Sequence, residues 1–384
     1  MRLAKEVREG VAFIARLLRR EIDYYGVTPT NILLFLTYRC TSRCTTCTIW
    51  RKKATGTELE LNEWQRFIDS ACRWPIRNVE MFGGDALLRK EVLFPLAKYV
   101  KARGIQVDLV TNCNLMDTRA AEQTVEAGFD VVYVSIDGVR KHHDRVRGLE
   151  GTFRRVEQAI ENLLRARGSA VYPRLTANCT VSRQNIHHFE EVLDYAESLG
   201  VDNVAFEYVG EFPDRSVKAS AIEGVVPTPY YVQQDSTSIL LNLEQAYALK
   251  KKLKEIKERA KGKTLYVSTG NIDLLGVRDM AQGLCPHPKC YVCRYLITAD
   301  PYGNIVPCPF FNNYYLGNFT EIPLEGIWGN ERHKRFVQAI DSAKAPMCRY
   351  CILSLERNQS FFGCLRKKYY TLTGGGRDQK VEFR

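Results

Sequence analysis

Short apolar runs alternate with longer stretches of helical period between residues 31 and 210 of this 384-residue chain. Residues 31–37 are apolar and followed by a polar loop, the pattern of a buried strand. Residues 62–73 have helical spacing, with Asn62 placed to cap them. Residues 78–82 predict the next strand and 91–103 the next helix, stopped by Gly104. Strand 105–110 with helix 117–127, strand 130–136 with a helix from 152 to about 165, and strand 174–181 with helix 187–199 repeat the unit. Residues 203–208 supply a sixth strand. This alternation predicts parallel strands joined by right-handed crossovers. Six strands are too few for a closed eight-strand barrel. The expected fold is therefore α/β, a partial (β/α)6 TIM barrel over residues 31–210 that stays open.

Outside that region the pattern changes. Residues 1–30 place Leu3, Val7, Val11, Ile14, Leu18 and Ile22 at helical spacing among arginines and lysines. A basic amphipathic helix packed on the barrel is expected, and peripheral membrane contact through residues 1–24 is the alternative. No separate peptide-recognition domain fits ahead of the barrel, which weighs against a peptide substrate. Residues 211–284 form an insert with three prolines and the Tyr230-Tyr231 pair, then an amphipathic helix over 238–263. Glu207 and Tyr208 end the sixth strand, where a substrate would sit, although packing accounts for them and for the tyrosine pair more simply. Residues 365–384 read as a polar tail.

Composition narrows the classes. No apolar run approaches the roughly 18 residues of a membrane span. The N-terminus has no small-residue cleavage site, so no signal peptide is expected. The net charge of +11 concentrates in residues 1–20 and 250–263, interspersed with acidic residues. That mixture predicts solvated helix faces rather than a nucleic-acid stripe. Thirteen cysteines cluster at ligand spacings instead of spreading as disulfides, which suits a reducing cytosol and a cytoplasmic, or membrane-peripheral, protein.

The chemistry starts after the first strand. Cys40, Cys44 and Cys47 stand at C-x3-C-x2-C spacing. Three local thiolates can hold three corners of a cubane iron–sulfur cluster and leave the fourth iron open. Zinc sites more often use paired C-x2-C units with a fourth ligand. Other motifs follow the strands in register: Gly83-Gly84-Asp85 after the second, Asn112 after the third, Ser135 and Asp137 after the fourth, Asn178 in the fifth. Functional groups gather at that end of parallel barrel strands. Asn185 reads as a helix cap, and His142-His143 and His187-His188 as solvated pairs. For Arg147, a structural ion pair and a contact to a bound carboxylate are both open.

These residues resemble the radical S-adenosylmethionine (SAM) superfamily over roughly residues 31–210. The resemblance implies a [4Fe–4S] cluster on Cys40, Cys44 and Cys47, whose open iron is chelated by SAM. Cluster reduction would split SAM into methionine and a 5′-deoxyadenosyl radical that abstracts hydrogen from a substrate. It implies that Gly83, Gly84 and Asp85 receive the SAM ammonium, although the family more often has Gly-Gly-Glu-Pro there. Ser135 and Asp137 would meet the ribose and the methionine carboxylate, with Asn112 and Asn178 on the same rim. Thr46 stands where the family often has an aromatic residue beside the adenine.

A second cysteine set lies within residues 285–364. Nine residues separate Cys293 from Gly303, four separate Gly303 from Cys308, and 39 lead on to Cys348-x2-Cys351. The stretch 300–308 reads as a hairpin that delivers Cys308, with Gly303 in the turn. The pattern resembles the SPASM or twitch domain, which implies one auxiliary cluster on Cys293, Cys308, Cys348 and Cys351. Cys285, Cys290 and Cys364 are further candidates that can exchange with members of that set, and zinc is the alternative metal. Cys72, Cys113 and Cys179 read as small core residues. The expected function is a radical SAM oxidoreductase or transferase that abstracts hydrogen from an unactivated C–H of a small molecule or lipid. Net oxidation or bond formation would follow through the auxiliary cluster. An external one-electron reductant of flavodoxin or ferredoxin type would serve it. A peptide-modifying maturase and a non-catalytic electron carrier are the alternatives.

Overall fold

The computed structural model describes residues 28–233, 238–262, 264–285 and 290–353. The helix expected over 1–30 lies outside the described residues except for its last three positions, and Cys364 and the 365–384 tail lie wholly outside them.

Six strands appear where the apolar runs predict them: β1 (Asn31–Phe35), β2 (Asn78–Phe82), β3 (Gln106–Thr111), β4 (Val131–Ser135), β5 (Arg174–Val181) and β6 (Asn203–Tyr208). All five residues of β1 are buried, as a strand covered on both faces requires. The intervening helices are Leu61–Ala71, Lys90–Lys101, Thr118–Glu126, Thr152–Arg167 and Glu191–Leu199. An additional short helix, Lys141–Arg147, sits between β4 and Thr152–Arg167. Asn62 does not cap the first helix. Glu60 stands at the cap, where its backbone N–H donates to the Glu63 carboxylate at 2.8 Å. Asp117 caps Thr118–Glu126 by accepting from the Ala120 N–H at 2.8 Å. The helix expected over 187–199 begins as a regular helix only at Glu191.

The sheet is larger than six strands. Its order is β10-β9-β8-β1-β2-β3-β4-β5-β6-β7. Strand β7 (Tyr266–Ser268) adds in parallel to β6, and β8 (Leu296–Ala299) adds in parallel to β1. β8 then turns back into antiparallel β9 (Asn304–Val306), which pairs with β10 (Gly317–Asn318). β7 and β10 stand at opposite ends of the sheet, so the barrel is partial and open. The β8–β9 turn is the expected hairpin. Asp300 accepts from the Tyr302 and Asn304 N–H groups at 2.9 Å each, and Gly303 takes φ +89°.

Strand alternation sets up the interior. Val79, Met81, Val107 and Leu109 are buried in the hydrophobic core. The alternate positions Asn78, Glu80, Gln106 and Asp108 line a cavity inside the barrel. Cys113 and Cys179 are buried core residues, whereas Cys72 is exposed at the end of Leu61–Ala71 and is not part of the core.

Candidate active site

The cysteine loop leaves β1 and is held by backbone on two sides. Gly84 N–H donates to Thr37 O and Asp85 N–H to Arg39 O, both at 2.8 Å. A Cβ on Gly84 would lie 2.1 Å from Arg39 O, and one on Gly83, at φ +146°, would lie 2.5 Å from Thr37 O. Only glycines let these two segments come so close. On the other side, Arg43 N–H donates to Arg147 O and Thr45 N–H to Val146 O, both at 3.0 Å.

The three thiols sit among donors. Ser42 N–H points at Cys40 Sγ (3.4 Å), Ile49 N–H at Cys47 Sγ (3.5 Å) and the Arg147 guanidinium at Cys44 Sγ (3.9 Å). The Cys40 thiol donates to Gly84 O at 3.3 Å. Burial pushes the Cys40 thiol up to about 11 and the Cys47 thiol up to about 12. Arg147 is largely buried and pairs with Asp137 at 2.8 Å. Its guanidinium stays charged because the Asp137 carboxylate and the thiols of Cys44 and Cys40 outweigh the cost of burial.

Gly83, Gly84, Asn112, Ser135, Asp137 and Asn178 reach one cavity of about 360 Å3 together with the three cysteines. Ser135 and Asn178 are register partners across β4 and β5. Asn112 Nδ2 donates to Thr41 Oγ1 at 3.1 Å and approaches Cys40 Sγ at 3.7 Å. Asp85 lies behind the cavity wall. Its carboxylate accepts from Thr41 Oγ1 at 2.5 Å and from Leu87 N–H at 3.2 Å, capping the turn Ala86–Arg89. Asp137 accepts from Thr180 N–H at 2.9 Å as well as from Arg147.

Several residues escaped the sequence reading. His143 is not solvated: it is 1% exposed, accepts from Asp137 N–H at 3.2 Å, and burial pushes its imidazole down to about 3. Asn185 does not cap the helix Glu191–Leu199, whose cap position is Glu190; its amide donates to Asp137 O and Thr180 O at 2.9 Å each. Trp50 lines the cavity, its indole N–H held by Cys44 O at 3.4 Å. Tyr230 and Tyr231 also line it, packed on Phe310 at ring distances of 5.2 and 5.5 Å. Lower in the barrel, Asp108 accepts from Asn78 Nδ2 at 2.7 Å and from Gln106 Nε2 at 3.1 Å, and burial pushes its carboxyl up to about 7.

A second cavity is lined by Cys290, Cys293, Cys308, Cys348 and Cys351, with apolar side chains otherwise. It holds all four members of the expected ligand set plus Cys290. Cys285 is buried and close enough to act on Cys351, but does not line the cavity. Burial pushes Cys308 up to about 12, and Cys293, Cys348 and Cys351 also rise. His333 Nε2 stands 2.7 Å from Cys293 O and fixes the start of this region. Phe310 and Leu353 line both cavities.

Residues 34–196 match the family model described as the radical SAM superfamily, and residues 290–352 match the model of an iron–sulfur cluster-binding domain. Residues 34–196 are a radical SAM domain. The chain is similar to the AdoMet-dependent heme synthase of Methanosarcina barkeri, with 27% identity over 90% of this chain and 93% of the relative. It is also similar to the PqqA peptide cyclase of Granulibacter bethesdensis, with 24% identity over 90% and 84% of the two chains. The crystal structure of Streptococcus suis SuiB has the same fold, with a TM-score of 0.62 at 14% identity over 92% of this chain and 78% of SuiB.

A radical SAM enzyme uses a [4Fe–4S] cluster and SAM, and the C-terminal domain carries auxiliary iron–sulfur centres. The donor sets fit these groups. Among the described residues lining the barrel cavity, the cysteines are Cys40, Cys44 and Cys47, a set with one corner open. Asn178 Oδ1 and Arg147 Nε are buried without a hydrogen-bond partner at that cavity. In the second cavity every side chain is apolar or bears sulfur, which suits a thiolate-bound cluster screened from water.

Proposed function

We propose that this enzyme removes a hydrogen atom from an unactivated C–H bond of a small-molecule substrate bound between its two cysteine sites, with net oxidation of that substrate. The observation that carries the reading is the shared wall. The cavity runs from Cys40, Cys44 and Cys47 to Phe310 and Leu353, and those two residues also line the second cysteine cavity. The bound cluster and SAM supply reductive cleavage of SAM and abstraction of the hydrogen atom. Cys40, Cys44 and Cys47 hold that cluster. The Gly83 and Gly84 main chain receives the SAM ammonium, while the Asp85 carboxylate acts indirectly by fixing Thr41 and the turn Ala86–Arg89. Ser135 and Asn178 offer hydrogen-bonding groups at one level of the rim. Trp50 offers an aromatic face for the adenine, the part that Thr46 cannot play. Arg147 offsets the negative charge of the thiolates inside a water-poor site. Tyr230 and Tyr231 close the cavity against water. Four of the five cysteines of the second cavity hold an auxiliary cluster, which is an electron acceptor beside the substrate.

The similarity to a heme synthase over most of both chains supports a small-molecule substrate. The similarity to a peptide cyclase supports a second reading, a peptide substrate in the same cavity. Anaerobic incubation with SAM, a flavodoxin-type reductant and deuterated candidates tests both. Label should appear in 5′-deoxyadenosine with the true substrate and vanish with Cys44→Ala. Label from peptides alone would favour the second reading, and SAM cleavage by Cys44→Ala at the wild-type rate would sink both.

A further inference from the structure

His142 and His188 come one from each histidine pair and, unlike His143, have no part in the site described above. His142 lies in Lys141–Arg147, which follows β4, and His188 lies in the turns between β5 and Glu191–Leu199. Their imidazoles stack, with ring centroids 3.5 Å apart and planes inclined by 20°. The Glu191 carboxylate stands 3.0 Å from His188 Nδ1. One ligand atom from each of the three residues lies within 4.8 Å of the other two. Both histidines are half-buried and Glu191 is exposed, so the three groups are open to solvent.

Backbone hydrogen bonds fix the segments that carry these side chains. His142 N–H donates to Val139 O at 3.2 Å, His188 N–H to Asn185 O at 2.8 Å, and Glu191 N–H to His188 O at 3.3 Å. A Cβ on Gly138 would lie 3.0 Å from His142 Cβ, so the glycine gives the histidine its room. Two imidazoles and a carboxylate, with a fourth position for water, are a donor set that zinc and similar borderline cations take. Metal–nitrogen bonds of about 2.0–2.1 Å require ligand atoms to draw together by about an ångström, which side-chain rotation on an open surface supplies. Lys141 and Arg145 are the cations acting on His142 from its own helix, and the Glu191 carboxylate opposes them.

We propose that His142, His188 and Glu191 form a divalent-metal site of the zinc type. The ion clamps the helix after β4 to the helix after β5 at the barrel rim, and its ligand set contains no cysteine.

Untagged full-length protein, with its iron–sulfur centres reconstituted and its iron content fixed, is titrated anaerobically with ZnCl2 by calorimetry. One zinc per chain is expected. Its X-ray absorption should show nitrogen and oxygen neighbours at about 2.0–2.2 Å and no sulfur at about 2.3 Å. His142→Ala and His188→Ala should each weaken binding at least about a hundredfold, the upper end of what losing a residue that merely supports a ligand costs. Glu191→Gln, at an exposed position, tests the third ligand without disturbing packing and should weaken binding about tenfold or more. Iron content and circular dichroism equal to wild type show that the variants fold. Sulfur neighbours around the zinc, or affinity unchanged in the folded histidine variants, overturn the proposal.

Discussion

Single residues determine whether the rim can form. Gly84→Ala should be costly, because its Cβ would meet Arg39 O at 2.1 Å with backbone on both sides. We expect the cysteine loop to shift and the reconstituted protein to lose about four irons per chain, one cubane. Iron analysis checks this, and full iron content in the variant would mean that the loop adapts. Trp50→Ala should weaken SAM binding by about 1–3 kcal/mol, the worth of one base stacked on an aromatic ring. Equilibrium binding to the unreduced enzyme measures it, and unchanged affinity would place the adenine elsewhere. Asp108 carries a pH signature. Burial raises its carboxyl from the ordinary 3.8 to about 7 in the folded chain. The protonated form is therefore favoured by folding. That contribution is full below about pH 4 and is lost as pH rises through about 7. Asp108→Asn should thus be less sensitive than wild type to a change from pH 6 to 8.5, by about 1 kcal/mol in chemical denaturation, because most of the loss falls between about pH 4 and 6. Parallel losses in the two proteins would assign the pH dependence to other groups.

At the scale of elements, the hairpin and one helix build the second cysteine cavity. Gly303 turns β8 into β9 at φ +89°, and a Cβ there would lie 2.8 Å from Asn318 Oδ1. Gly303→Val should misplace Cys308 and remove the auxiliary iron, leaving about four irons at the barrel site. Loss of all iron instead would show that the two sites fold as one unit. The helix Glu331–Asp341 contributes Phe336 and Ile340 to that cavity and ends on a buried ion pair, Arg294 with Asp341 at 2.6 Å. Removing one partner of such a pair leaves a buried charge, which costs about 3–5 kcal/mol. Asp341→Ala should therefore lower the thermal midpoint of the holoenzyme well below that of an exposed control such as Glu331→Ala, and equal midpoints would refute it.

Across the whole molecule, the C-terminal region is continuous with the barrel. Parallel pairing of β8 with β1 extends one sheet from the barrel into the hairpin that delivers Cys308. The two cysteine sites are thus held at a set spacing by backbone hydrogen bonds, with Tyr230, Tyr231 and Phe310 between them. Reconstituted enzyme should hold about eight irons, two cubanes of four, and replacing Cys40, Cys44 and Cys47 together should leave about four. Zinc in the second cavity would refute the two-cluster arrangement. No helix among the described residues is long and apolar enough to cross a membrane.

Local patterns carried much of this. Apolar period located β2, β5 and β6 to the residue, because alternate positions of each strand pack into the core. Cysteine spacing and the glycine pair marked residues that line one cavity, because groups on one loop are neighbours whatever the rest of the chain does. Other features had no local signature. Strands β7 and β8 are only three and four residues long, too short for a period, and form because a sheet edge is there to pair with. Asp85 turns behind the wall, and Trp50, Tyr230 and Tyr231 turn into the cavity through contacts between segments distant in sequence. His143 and Asn185 look like surface residues in a polar stretch, yet they become the supports of Asp137 once the β4 and β5 loops pack together. Spacing along the chain sets which donors are available, and packing of remote segments sets which of them point at the same space.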